Sequence, residues 1–107
     1  MNIIEAAMIN NISAISELLT QGETVDERDK AGRTALMQAT INKRTDVMKL
    51  LLDSGATADI QDKNGWSALH FAAQAQLVEG IELLVSHRAP VDVADSHGNT
   101  PLFASGV

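Results

Sequence analysis

Hydrophobic residues along the chain fall into short groups with helical spacing, separated by polar turns. The two clearest groups share i, i+3 and i+4 spacings: Val47, Met48, Leu51 and Leu52, and then Ile81, Leu84 and Val85. This spacing places the apolar side chains on one face of an α-helix, whereas half-buried strands alternate with a period of two. The pattern therefore predicts short helices that pack together in an all-α domain.

The hydrophobic groups belong to a repeat with a period of 33 residues. Four residue classes keep this period: Asp29, Asp62 and Asp95; Gly32, Gly65 and Gly98; Leu36, Leu69 and Leu102; and the hydroxyl residues Thr34, Ser67 and Thr100. A repeat of this length is one structural unit that buries its hydrophobic face by stacking on its neighbours. We divide the chain into an N-terminal capping unit 1–28, full units 29–61 and 62–94, and an incomplete unit 95–107.

Within each unit the polar residues predict a turn, a helix start and a helix end. Gly65 closes a polar turn in which a positive φ is expected. Thr34 and Ser67 precede apolar runs, where a hydroxyl can accept a hydrogen bond from the free N–H groups of a starting helix. Gly22 and Gly55 follow second helices and are expected to end them in the left-handed conformation. Each unit is thus predicted to be a helix-turn-helix.

The segments AGRTALMQAT, NGWSALHFAA and HGNTPLFAS, with the later segments LLLDSGATADIQ and LLVSHRAPVDVA, resemble ankyrin repeats. The resemblance implies an ankyrin-repeat solenoid, in which helix-turn-helix units stack and hairpin loops project from one edge. It also implies that His70 orders its turn through hydrogen bonds; a ligand or acid–base role is the alternative. Lys43 and Gln76 stand where the family usually has a Gly between the helices. Gly80 interrupts the second helix of the third unit, at an expected cost of about 1 kcal/mol relative to Ala.

Composition limits the classes of partner and location. The formal charge of −6 and the pI of about 4.8 disfavour nucleic acid and anionic membranes as partners. The chain has no cysteine, so it can form neither a disulfide nor a thiolate metal site. Glu5 stands in the opening run and Arg28 is the first basic residue, so no targeting leader is expected and a cytoplasmic location is predicted.

The chain carries none of the motifs of common catalytic, nucleotide-binding or calcium-binding sites. His70, His87 and His97 lack the spacing of a zinc site. We therefore expect no catalytic residue, no bound metal and no cofactor, and we do not expect an enzyme.

The resemblance also implies a binding surface formed by the hairpin tips and the exposed face of each first helix. Its contact positions fall on Arg28, Lys30, Arg33, Ile41 and Asn42 around the first tip, on Lys63, Asn64, Trp66, Gln74 and Ala75 around the second, and on His97 and Asn99 in the incomplete unit. We predict Trp66 as the anchor, because the repeat requires no aromatic there and tryptophan is enriched among interface hot spots. The alternative is that its ring packs against Arg33 as a cation–π pair.

Six of the eight basic residues fall in or beside the second unit. Those expected on the tips are Arg28, Lys30, Arg33 and Lys63. A positive stripe on an acidic molecule favours a protein partner with an acidic contact surface and speeds association at low salt. The alternative is that Asp26, Glu27 and Asp29 neutralise the stripe, which leaves solvated charges of little energetic consequence.

Two functions are compatible with these observations. The leading hypothesis is a non-catalytic protein–protein interaction module, such as a small cytosolic regulator, inhibitor or immunity-type protein. The alternative is an N-terminal ankyrin targeting segment of a longer enzyme or scaffold, whose activity lies beyond residue 107. The incomplete unit favours the alternative, because Leu102 and Phe103 are followed by no second helix that would cover them. Self-association through this open end is a further expectation.

Overall fold

The computed structural model describes residues 2–87, and within them the chain forms short α-helices joined by turns. The helices are α1 (Ile3–Met8), α2 (Ile12–Thr20), α3 (Ala35–Ile41), α4 (Thr45–Asp53), α5 (Ala68–Gln74) and α6 (Val78–Ser86). The part of the chain that the structure describes contains no β-strand. The incomplete unit 95–107, with the predicted contact residues His97 and Asn99, lies outside the described residues.

The helices pair within each unit and stack between units. The pairs are α1 with α2, α3 with α4, and α5 with α6. The first helices stack as an inner layer of α1, α3 and α5, while α6 packs on α4 in an outer layer. This arrangement confirms the predicted all-α solenoid of stacked helix-turn-helix units.

The core between the helices is aliphatic, and it contains alanine where neighbouring helices come closest to each other. Ala6, Ala39 and Ala72 occupy equivalent positions, and none of them has any solvent exposure. A methyl side chain at these positions allows neighbouring helix backbones to come close together. Larger aliphatic side chains such as Leu36 and Leu51 fill the space on either side. The inner layer is therefore close-packed and gives the tips a fixed base.

Helix starts and ends follow the sequence signals. The Thr34 hydroxyl accepts a hydrogen bond from the N–H of Met37 at 3.3 Å, as a cap should. Gly22 and Gly55 have φ of +91° and +94°, which confirms the predicted left-handed helix ends. His70 is fully buried, and its Nδ1 accepts a hydrogen bond from the N–H of Ser67 at 3.1 Å. These contacts support the structural role of His70 at the start of α5.

Within residues 2–87, three residues other than glycine adopt the left-handed conformation in the turns between paired helices. They are Asn10, Lys43 and Gln76, with φ of 60°, 59° and 54°. Side chains with a Cβ are strained there, which explains why the family usually has a Gly at this turn.

Gly80 has a packing role that its position in a helix does not reveal. A Cβ at Gly80 would lie 2.8 Å from Leu77 Cδ2 and 3.2 Å from Met48 Cε. The missing side chain therefore lets α6 approach α4 closely. An Ala there would gain helix propensity but press on Met48 and Leu77, so the predicted cost of about 1 kcal/mol relative to Ala is accompanied by a packing advantage of Gly80.

Candidate partner-binding surface

The carboxylates of Asp29 and Asp62 organise the first and second tips in the same way. Asp29 Oδ1 accepts hydrogen bonds from the N–H groups of Ala31 and Arg33 at 2.9 and 3.0 Å. Asp62 Oδ1 accepts from the equivalent N–H groups, two and four residues further along, both at 2.9 Å. Each tip is thus a tight turn that holds its next side chains in a fixed direction.

Asp29 is kept ionised by this environment. Burial opposes the charged form, but hydrogen bonds from the N–H groups of Arg33 and Ala31 and from the Gln38 amide, together with the Arg33 charge, outweigh it. Together they hold the pKa of Asp29 below its ordinary value of 3.8. The carboxylate is therefore a structural element of the tip and not a proton donor at neutral pH.

The two tips are joined to each other through backbone carbonyls. The N–H of Lys63 donates to the carbonyl of Ala31 at 2.9 Å. The guanidinium of Arg28 donates to the carbonyl of Gly32 at 3.0 Å and also to that of Gln61. Arg28 was predicted to contact a partner. In the structure its guanidinium N–H groups bind carbonyls of both tips, so this side chain helps to fix the spacing between the tips.

Arg33 links the tips through its side chain. Its Nε lies 3.4 Å from Asp62 Oδ2, and its guanidinium carbon lies 5.4 Å from the centre of the Phe71 ring. The sequence-based alternative paired Arg33 with Trp66, but among the described residues its cation–π contact is with Phe71. Trp66 is equivalent to Arg33 in the next unit, so these two side chains flank the same gap.

Trp66 lies half-buried against the first turn of α5. Its ring centre lies 5.1 Å from that of Phe71 and 5.4 Å from that of His70, with interplanar angles of 50° and 35°. Tilted contacts at these distances are favourable for aromatic rings. The indole is therefore positioned by packing against Phe71 and His70, while part of it stays exposed; its role as a partner contact stays a prediction.

A shallow pocket of about 240 Å³ lies between the two tips and the inner layer. Its walls are Arg33, Asp62, Asn64, Trp66, Phe71 and Gln74. The structure thus brings together four predicted contact residues, namely Arg33, Asn64, Trp66 and Gln74. The sequence interpretation missed Phe71, although its position three residues before Gln74 places both on one helix face.

The other predicted contact residues within the described part of the chain do not line this pocket. Lys30, Lys63 and Asn42 are exposed, while Ile41 and Ala75 are half-buried at the end of their inner helices. Asn42 Nδ2 donates to the carbonyl of Gln38 at 2.8 Å, which holds that side chain against α3. These residues lie on the tips and at the ends of the inner helices, and none of them lines the pocket.

Acidic residues near the first tip have partners other than the tip lysines. Asp26 accepts hydrogen bonds from the N–H and hydroxyl of Thr57 at 2.9 and 2.6 Å. A hydrogen bond with Glu23, partial desolvation and the negative charge of Glu23 raise the pKa of Glu27 above its ordinary value. Within residues 2–87 no salt bridge reaches Lys30 or Lys63.

Other kinds of site were searched for in the same part of the chain. No group of three or more His, Asp or Glu side chains in residues 2–87 could hold a metal ion. None of the described helices combines the length and the hydrophobicity that crossing a bilayer requires.

The stacked helix pairs, the projecting tips and the 33-residue period define a repeat solenoid. Two family models match the sequence. The model for ankyrin repeats (3 copies) matches residues 54–105, and the model for a single ankyrin repeat matches residues 31–63. The chain belongs to the ankyrin repeat family.

Two curated proteins resemble part of the chain. It is 42% identical over 48 residues to a mitochondrial disaggregase of Bos taurus, and 40% identical over 48 residues to that of Homo sapiens. The matched segment is 45% of this chain and 7% of each relative. The chain therefore corresponds to a small part of these longer proteins.

Proposed function

We propose that this protein is a non-catalytic module that binds another protein through its hairpin tips and the adjoining inner-helix face. Ankyrin repeats are generally protein-interaction modules, and the observation that carries the proposal here is the pocket between the tips. There the half-buried rings of Trp66 and Phe71 are bordered by the polar side chains of Asn64 and Gln74. Aromatic residues within a polar border are typical of interface hot spots.

The size of the pocket favours a protein partner over a small molecule. At about 240 Å³ it falls below the range of about 300 to 1,000 Å³ that is usual for small-molecule sites. One large side chain of a partner fits such a space. Trp66 would then contact that side chain directly, together with Arg33 and Phe71, which line the same pocket.

The charges at the tips support an acidic contact surface on the partner. Lys30 and Lys63 are exposed and form no salt bridge within residues 2–87; Asp26 binds Thr57, Glu27 lies beside Glu23, and Asp29 binds N–H groups of the first tip. Exposed charges of this kind act mainly on the rate of association. The proposal includes a cytoplasmic location and a role as a small regulator, inhibitor or immunity-type protein.

A second candidate is an ankyrin segment that targets a longer enzyme or scaffold. The observation that favours it is the similarity to a 48-residue segment of mitochondrial disaggregases, which are much longer than this chain. The two candidates are separated by the full-length gene product: an enzymatic or scaffold domain joined to these repeats would favour the second.

Affinity capture tests the binding function directly. The tagged chain, its Trp66→Ala variant and an Ile12→Ala control are incubated with extract of the source cells, and captured proteins are quantified by mass spectrometry. Ile12 is an exposed aliphatic residue on α2, away from the tips. We expect one protein to be captured by the natural chain and the control but lost with Trp66→Ala. Capture that does not depend on Trp66 would contradict the proposed surface.

A further inference from the structure

The guanidinium of Arg33 has hydrogen-bond donors that the described fold does not use. Its Nε binds the carboxylate of Asp62 at 3.4 Å, and its carbon lies 5.4 Å from the centre of the Phe71 ring. Among residues 2–87, no acceptor is bound by the N–H groups of its two Nη atoms. The side chain is 33% exposed and lines the pocket between the tips. Its Nη donors are therefore left for a group that enters this pocket.

Two amide side chains that line the same pocket add further donors. Asn64 and Gln74 are exposed, and within the described part of the chain neither side-chain amide takes part in a hydrogen bond. Each amide can turn its NH2 group toward a bound acceptor. The pocket thus combines one cation and two amides with the rings of Trp66 and Phe71. The group that fits such a pocket carries several acceptor atoms on an apolar stem.

Asp62 limits the charge of that group. Its side chain is 1% exposed, and its oxygens already accept from the N–H groups of Asn64 and Trp66 and from Arg33 Nε. The buried carboxylate offsets part of the Arg33 charge. The pocket can therefore compensate the single negative charge of a carboxylate better than the nearly double charge of a phosphate group.

The pocket lies on the side of the solenoid and not at its end. Arg33 comes from the second unit, whereas Trp66, Phe71 and Gln74 come from the third. A unit that follows the third stacks on the far side of α5, because α3 already occupies the near side. The group that fills the pocket is thus not the next repeat of the same solenoid.

We infer that the pocket binds the side-chain carboxylate of a glutamate in the partner protein, and that Arg33 is the residue that recognises it. This inference rests on the proposed function and adds the chemistry of its central contact. The carboxylate oxygens accept hydrogen bonds from Arg33 Nη and from the amides of Asn64 and Gln74. The two methylene groups of the glutamate lie against the rings of Trp66 and Phe71. Aspartate suits the pocket less well, because its shorter stem gives less contact with the rings.

Pools of short peptides test the inference on the full 107-residue chain. The central residue is Glu in one pool, Gln in a second and phosphoserine in a third, and the flanking positions are random but uncharged. Peptides retained by the immobilised chain are sequenced, and the best Glu peptide is resynthesised with Gln or phosphoserine at its centre. Fluorescence anisotropy measures binding of these peptides to the natural chain and to its variants Arg33→Gln, Arg33→Lys and Lys49→Gln. Lys49 is exposed on α4, so Lys49→Gln is the matched loss of one positive charge away from the pocket.

We expect the natural chain to bind the Glu peptide roughly tenfold more tightly than its Gln or phosphoserine counterpart, because hydrogen bonds between charged groups are lost or a second charge is added. Arg33→Gln should reduce this preference to less than about twofold, since the variant has no guanidinium to recognise the charge. Arg33→Lys should keep part of the preference, and Lys49→Gln should leave it unchanged. Circular dichroism checks that all four chains keep their helix content.

A purely structural role of Arg33 would weaken all three peptides equally in Arg33→Gln and leave the preference for Glu intact, which would overturn the inference. Tighter binding of the Gln or phosphoserine peptide by the natural chain would overturn it too. Trp66→Ala separates the inference from the proposed function. Peptides that need Trp66 but show no preference for Glu would contradict only the carboxylate contact. Binding that does not depend on Trp66, or no retained peptide in any pool, would contradict both.

Discussion

Arg33 and Asp62 meet across the boundary between two repeats, with Nε 3.4 Å from Oδ2. The Asp62 side chain is 1% exposed and that of Arg33 is 33% exposed. Because the same guanidinium lies over the ring of Phe71, this pair joins the two tips and also forms one wall of the proposed binding pocket. Stability between repeats and the shape of the candidate site therefore depend on the same side chain.

Arg33→Ala is expected to lower the free energy of unfolding by about 1 to 2 kcal/mol, because a buried carboxylate loses one of its donors. The loss stays moderate since two backbone N–H groups still bind Asp62. Urea unfolding measures it. The matched control is Lys30→Ala on the same tip, which should change stability by less than about 0.5 kcal/mol. Equal effects of the two substitutions would disprove the structural role of the pair.

The lowered pKa of Asp29 predicts how the free energy of unfolding depends on pH. Its folded-state pKa lies below the ordinary value of 3.8, so the folded protein binds this proton less tightly than the unfolded chain does. The ionised carboxylate thus stabilises the fold above the ordinary pKa, and this contribution is lost as the pH falls through the folded-state pKa.

Below about pH 4, the unfolding free energy of the natural chain should therefore fall more steeply than that of Asp29→Asn. Asn keeps an oxygen that can accept from Ala31 and Arg33, so the tip retains its turn. Urea midpoints across this pH range provide the comparison. Parallel profiles for the two chains would show that Asp29 does not contribute in this way.

The strained turn at Lys43 offers a gain in stability. Lys43 has φ of 59°, where a Cβ costs about 1 to 2 kcal/mol, although glycine returns part of this in unfolded-state entropy. Lys43→Gly should therefore stabilise the chain by about 0.5 to 1 kcal/mol, measured as a higher urea midpoint. Lys43→Ala removes the same charge and keeps the Cβ, and it should give no such gain. If both variants behave alike, the left-handed turn is not the cause.

Sequence reasoning predicted the backbone of this protein better than the contacts between its repeats. The 33-residue period located the paired helices, the tips and the left-handed Gly22 and Gly55, because these features recur between units at residues 2–87. Repeat equivalence failed at Phe71. Its counterpart in the second unit is Gln38, whose amide donates to Asp29 at 3.2 Å, so the two positions have different partners.

The contacts of Arg28 and Arg33 were also not predicted from the repeat pattern. Both arginines were predicted to face a partner. In the structure the Arg28 guanidinium binds the carbonyls of Gly32 on its own tip and of Gln61, and the Arg33 guanidinium binds the Asp62 carboxylate. These pairings depend on the distance between adjacent units, which a single sequence does not contain. The partial exposure of Trp66 and the exposure of the tip lysines could be predicted, because both depend only on the position within one unit.

A charge-reversal experiment should therefore replace the exposed tip lysines and leave Arg28 and Arg33, which hold the tips together, unchanged. Lys30→Glu/Lys63→Glu is expected to slow association with the protein partner more than it changes dissociation, and the effect should fade at high salt. Stopped-flow or surface plasmon resonance measurements at two salt concentrations separate the rates. Lys49→Glu on the exposed side of α4 is the single-charge control. An association rate that does not respond to salt would contradict an acidic partner surface.

Trp66→Ala tests the central proposal most directly, once the captured partner has been purified. Affinity by calorimetry and unfolding free energy by urea titration are measured on the same preparations, with Ile12→Ala as control. We predict that binding weakens by at least about 2 kcal/mol, the size expected of an interface anchor, and that the loss in unfolding free energy is smaller. Unchanged affinity with a large loss of stability would show instead that Trp66 only packs against Phe71 and His70.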